Sequence, residues 1–239
     1  MVTDISKVLA HAFFYFFIDP VTDLSLHIRR KLILASTNKG KVIRVALGGG
    51  SNRDDLYPSL RDPGALAVDW LADRVYIASS NRIFSCPLDR DLCVTVVDRL
   101  PKAASAVKID PINGFLFYVL TGPNLGLHRL DLGQISHLWA PRPRQSEMAL
   151  GHHRTKTARP ELILSMPDLH TVTIDFASVH LFAVNNSKKA VVTTFLDGTN
   201  RRAVHDSSRL GSKSAMKDVT SMVYFNRVSE ETCLIALKI

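Results

Sequence analysis

Three stretches of the chain repeat one spacing. Val68-Asp69, Ile109-Asp110 and Ile174-Asp175 each put a β-branched residue before an aspartate. Six residues after that aspartate comes an aliphatic (Val75, Leu116, Leu181), and seven after it an aromatic (Tyr76, Phe117, Phe182). A short turn and an alternating strand follow each time, over 82–88, 126–132 and 190–196, and the same second half occurs once more upstream over 31–36 and 41–47. The closing leucines Leu47, Leu88, Leu132 and Leu196 lie 41, 44 and 64 residues apart. A period near ~40 residues in short alternating strands fits the blades of a β-propeller rather than a helical solenoid.

The physics of one repeat supports that reading. An apolar strand ending in Asp, a four-to-five-residue turn rich in Asp, Asn, Gly and Pro, and an aromatic-bearing strand make a β-hairpin, because those residues supply the φ angles a reversal needs. The aspartate can accept hydrogen bonds from the turn's own amides and fix the corner. Asp69, Asp110 and Asp175 are therefore read as structural, with Tyr76, Phe117 and Phe182 at equivalent buried positions, since a catalytic carboxylate has no reason to recur in every repeat.

At 239 residues, 46% hydrophobic and 22% charged, the chain can build one large β domain. Apolar spacings of three and four are few and period-two alternation is frequent, so the fold class is all-β: a β-propeller of four-stranded antiparallel blades. Four blades are countable, with partial strands at each end. The expected layout is an N-terminal segment with a partial blade over 1–30, propeller blades over 31–225, and the start of a further strand over 226–239.

The tetrapeptides opened by the aromatics, such as Tyr76-Ile77-Ala78-Ser79, look like degenerate forms of the YWTD, or class B low-density-lipoprotein-receptor, repeat. The run from Asp110-Pro111-Ile112-Asn113-Gly114 through Gly126-Leu127-His128-Arg129-Leu130-Asp131-Leu132 is similar to a blade of the membrane-proximal extracellular propeller of the sevenless/Ros receptor tyrosine kinases. Thr194-Phe195-Leu196-Asp197-Gly198 resembles the blade that follows. The resemblance implies an incomplete propeller, about four to five of six blades, acting as a ligand-binding or spacer module on the extracellular side of the plasma membrane within a larger receptor. Its partners would be a protein ligand or neighbouring domains of that receptor. No Gly-rich loop with a following strand lysine, no His-Arg-Asp loop and no Asp-Phe-Gly triplet occurs, so the chain is not expected to be an enzyme.

Other chemistry is thinly represented. No nucleophile elbow is present, and Gly48-Gly49-Gly50-Ser51-Asn52 lacks the lysine-serine pair and helix of a phosphate loop. No C-x-x-C spacing or matching histidine pair suggests a metal, and no cofactor is implied. Cys86 and Cys93 flank a likely hairpin connection, where a disulfide or two buried free thiols both fit, and Cys233 has no evident partner. Asn185-Asn186-Ser187 is an N-glycosylation triplet, expected in a turn. The apolar run over 8–18 reads as a buried strand in preference to a signal-peptide core, and is too short to span a bilayer.

Charge supplies the competing function. The chain carries a net +8, concentrated in Arg142, Arg144, Arg154, Lys156 and Arg159 and again in Arg201, Arg202, Arg209, Lys213 and Lys217. A basic propeller scaffold that binds acidic polymers, nucleic acid or polysaccharide, is the alternative. The first cluster coincides with the stretch where the leucine spacing lengthens to 64, which predicts an exposed inter-blade insertion over 139–160. That segment lacks aromatic platforms for bases, apart from Trp139 at its edge, so nucleic acid is the weaker candidate.

Overall fold

The structure is a computed structural model that describes residues 19–47, 53–122, 125–135, 159–185, 190–206, 221–226 and 232–237. Strands β1 (Val21–His27), β2 (Leu32–Thr37), β3 (Val42–Ala46) and β4 (Arg53–Leu56) form a first antiparallel blade. The second blade is β5 (Pro63–Asp69), β6 (Arg74–Ser79), β7 (Arg82–Pro87) and β8 (Val94–Val97). The third is β9 (Ala106–Asp110), β10 (Phe115–Val119), β11 (Gly126–Asp131) and β12 (Glu161–Ser165). The fourth is β13 (Leu169–Asp175), β14 (His180–Asn185), β15 (Ala190–Phe195) and β16 (Arg202–Asp206), and β17 (Ser221–Asn226) pairs with β18 (Thr232–Leu237) in a two-stranded sheet. The first strands of successive sheets pack side by side in the order β1, β5, β9, β13, β17, so the sheets are arranged as propeller blades.

Side chains stitch these inner strands together. Leu66 N–H donates to Asp23 Oδ2 at 2.9 Å and Val68 N–H to Ser25 Oγ at 3.1 Å. Both pairs are offset by the same number of residues, so β1 and β5 run in the same direction. The turns between first and second strands, and those between third and fourth, consequently share one face of the arc.

Each blade buries both faces, which explains its near-continuous apolar runs. Along β6, Val75 and Ile77 pack toward Leu34 of the first blade, while Tyr76 and Ala78 pack toward Val107, Leu116 and Tyr118 of the third. Phe117 and Val119 face Leu169, Val172 and Leu181 of the fourth. A Cβ added to Gly126 would lie 2.0 Å from the Leu164 carbonyl oxygen, so only glycine admits β12 where its pairing with β11 shifts register.

Strand β1 lies within 1–30, where a partial blade is expected, and β2 to β4 complete that blade. The insertion predicted between blades falls inside the third blade, between β11 and β12, because the chain returns to add the outer strand. Residues 221–226 and 232–237 pair with each other, so no division falls at 225/226. The apolar run over 8–18, residues 48–52, and Arg142, Arg144, Arg154, Lys156, Arg209, Lys213 and Lys217 lie outside the described residues.

Candidate functional site

The repeated aspartates close the first hairpin of their blades. Asp69, Asp110 and Asp175 pair in register with Arg74, Phe115 and His180. Asp69 Oδ1 accepts from the amides of Leu71 (3.0 Å) and Ala72 (2.9 Å), and Asp110 Oδ1 from those of Ile112 (3.0 Å) and Asn113 (3.2 Å). Asp175 Oδ1 accepts from Ala177 N–H at 2.9 Å, and its Oδ2 from the Ser178 hydroxyl. All three are buried and bond their own turns.

Sequence spacing did not reveal the fourth member of this set. His27 pairs with Leu32 at the register the aspartates occupy in the other blades, and it is fully buried. Its Nδ1 accepts from Arg30 N–H at 3.2 Å, as the aspartates accept from their turns, and its Nε2 faces Asp73 Oδ1 of the second blade at 2.8 Å. Arg30 Nη2 reaches the other oxygen of Asp73 at 2.5 Å. The hydrogen bonds from Arg30 and His27 hold the Asp73 carboxyl below its ordinary range. The available signal was Ile33 six residues after His27, but imidazole replaces carboxylate and Leu34 replaces the aromatic.

One backbone feature recurs beside these corners. The fourth residue after each corner residue is left-handed: Lys31 at φ 52°, Asp73 at 52°, Gly114 at 70° and Val179 at 60°. In the first three blades its carbonyl receives the amide of the closing leucine, Leu47 at 2.8 Å, Leu88 at 3.1 Å and Leu132 at 3.0 Å. That bond ties the end of the third strand to the first hairpin.

Tyr76, Phe117 and Phe182 stand at the third position of β6, β10 and β14, two residues beyond the partner of each corner aspartate, and all three are buried. Burial, with the nearby Asp69 carboxylate, pushes the Tyr76 phenol up to about 12. Cys86 and Cys93 are joined as a disulfide across the β7–β8 connection, with Cα atoms 4.2 Å apart. Asn185 ends β14 with its side chain fully buried and its Nδ2 donating to the Pro167 carbonyl at 2.8 Å. A glycan requires that nitrogen in solvent, so this placement is at odds with an acceptor role.

Nothing in these groups resembles a reaction centre. Among the described residues no group of three or more His, Cys, Asp or Glu side chains is placed to hold a metal, and no helix is long and apolar enough to cross a membrane. Several of the described basic side chains meet carboxylates, as in Lys41–Asp55 (2.7 Å), Arg44–Asp54 (2.6 Å), Arg82–Asp98 (2.8 Å) and Arg129–Glu161 (2.7 Å).

Comparison with known proteins decides the resemblance. No family model matches the chain. The proto-oncogene tyrosine-protein kinase ROS of Gallus gallus is 22% identical over 213 residues, covering 87% of this chain and 8% of the relative. That of Rattus norvegicus is 25% identical over 188 residues, covering 75% and 7%. This chain resembles the sevenless/Ros receptor tyrosine kinases. It spans less than a tenth of the length of these relatives, and its fold is a propeller, not a kinase. In a nidogen–laminin complex, a solved chain superposes with a TM-score of 0.60 at 14% identity, covering 78% of this chain and 65% of that one. A chain of Kuenenia stuttgartiensis hydrazine synthase gives 0.56 at 15% identity, covering 79% and 50%. These structural likenesses concern the fold alone.

Proposed function

We propose that this chain is an extracellular propeller segment of a sevenless/Ros-like receptor, serving protein–protein recognition at the cell surface. The observation that carries this reading is the match to ROS across 87% of a chain whose blades follow one another in the order the sequence resemblance implies. The Cys86–Cys93 pair suits an oxidising compartment. The partners are a protein ligand or neighbouring domains of the same receptor. The alternative, a basic scaffold for acidic polymers, draws on basic clusters that lie mostly outside the described residues, and the match to ROS favours the receptor reading over it.

The test is surface labelling. Intact animal cells expressing the full reading frame are treated with a membrane-impermeant biotin reagent, and peptides of this chain are sought in the captured fraction. Recovery there, with Cys86 and Cys93 in one cross-linked peptide, is expected. Recovery only from the unlabelled interior would sink the receptor reading.

A further inference from the structure

Most of the large exposed apolar side chains among the described residues gather toward one face, Val204 in the middle of β16 being an exception. The inner hairpin turns carry Ile28 in the first blade, Leu71 in the second, Ile112 in the third and Phe176 in the fourth, exposed by 64%, 43%, 62% and 48%. Leu92 lies in the connection between β7 and β8, and Leu162 and Phe195 lie in β12 and β15 near the ends that meet the corresponding connections, toward the same face of the arc. The opposite face behaves differently. Its loops tuck their apolar residues inward: Leu60, Leu100 and Met166 are all buried. Isolated exposed apolar residues are ordinary, but one on every inner turn of a single face is the pattern of a recognition surface.

Charge narrows the occupant. The inner turn of the first blade is Ile28-Arg29-Arg30-Lys31, whereas the other three inner turns hold one charged residue, Asp73, already engaged by Arg30 and His27. Arg29 stacks over Trp70 at 5.1 Å, and neither Arg29 nor Lys31 meets a carboxylate among the described residues. Among the inner turns, positive charge without a carboxylate partner is thus focused at one end of the apolar arc, at Arg29 and Lys31. The outer turns of this face carry both signs, with the exposed acids Asp89, Asp91 and Asp197 beside the exposed Arg90 and Arg201. A flat anionic bilayer would meet those acids, so the pattern suits a shaped protein partner better than a membrane.

We infer that the face bearing the inner hairpin turns is the recognition face, and that its partner is a protein segment offering apolar side chains beside an acidic group that meets Arg29 and Lys31. This rests on the recognition reading above and adds the face and the partner's chemistry.

The experiment pans the 239-residue chain against a displayed library of random peptides. Enriched peptides are titrated against the parent and against Ile112→Ser/Phe176→Ser, Arg29→Glu/Lys31→Glu and the opposite-face Arg61→Glu/Lys102→Glu. Acidic, apolar peptides that lose at least about tenfold in affinity, some 1.4 kcal/mol, on the first two variants and keep it on the third are expected. Loss confined to the third variant overturns the face assignment and leaves the recognition reading standing; no enrichment at all overturns both. Two further outcomes also overturn the proposal. One is concentration-dependent self-association in sedimentation that Ile112→Ser/Phe176→Ser abolishes, which makes a second copy the occupant. The other is binding to phosphatidylserine–phosphatidylcholine vesicles that Arg29→Glu/Lys31→Glu abolishes. Should a variant lose the parent's thermal midpoint, hydroxyl-radical footprinting of the parent with bound peptide answers the same question. Protection of 110–114 and 175–179 supports the face, and protection only of opposite-face turns refutes it.

Discussion

Replacing Asp110 separates a corner post from a catalytic acid. Its Oδ1 receives two backbone amides and its Oδ2 receives Asn113 Nδ2 at 2.7 Å, with the carboxylate buried. Asp110→Ala removes all three bonds, each worth about 1 kcal/mol net. Ile112 is exposed, so water recovers part of the loss at its amide, and the expected destabilisation is about 2 kcal/mol. Asp110→Asn keeps an oxygen for the two amides but sets its own NH2 against Asn113 Nδ2, a donor facing a donor. Its cost is about 1 kcal/mol, so the alanine variant is the worse. Urea denaturation followed by tryptophan fluorescence measures both, with the thermal midpoint falling ~2–4 °C per kcal/mol in a chain of this size. An alanine variant within about 0.5 kcal/mol of the parent, or an asparagine variant below it, would refute the hydrogen-bond account.

Three other outcomes are expected. Asp73 has a depressed folded pKa, so its contribution is present above the unfolded value and is lost as pH falls through the folded one; Asp73→Asn should flatten the pH dependence of stability below about pH 4, read by thermal melts across pH. Cys86 and Cys93 are 7 residues apart, and breaking the bridge by Cys86→Ser/Cys93→Ser should cost about 2 kcal/mol on loop entropy, measured by urea denaturation against the oxidised parent. Val179 is a β-branched residue held at φ 60°, and Val179→Asn should raise stability by about 1 kcal/mol because asparagine tolerates that conformation, which differential scanning calorimetry would register as a higher midpoint.

The repeat was legible because its corner chemistry and alternation are local. An Asp that bonds its own turn and an aromatic seven residues on read the same in sequence and in space, so the second and fourth blades and the positions of Tyr76, Phe117 and Phe182 could be placed from spacing. The first blade was blurred because His27 accepts the Arg30 amide through a ring nitrogen, which no aspartate template detects. The third blade was misjoined because β12 pairs with β11 from beyond the insertion, and that pairing depends on Gly126, whose reason is the distant Leu164 carbonyl. The apolar arc was invisible for a related cause: Ile28, Leu71, Ile112 and Phe176 come onto one face only through the blade arrangement, and hydropathy cannot separate them from core residues.

The detour between β11 and β12 has a cost in time during synthesis. At ~5–20 residues per second, several seconds separate the emergence of Asp131 from that of Ser165, whereas a hairpin closes in ~1–10 μs. The first three strands of the third blade therefore wait for their outer strand roughly a million times longer than they need to pair. Throughout that wait the outer backbone of β11 is a bare ladder, the kind of edge on which foreign strands nucleate. That strand carries the polar residues His128, Arg129 and Asp131.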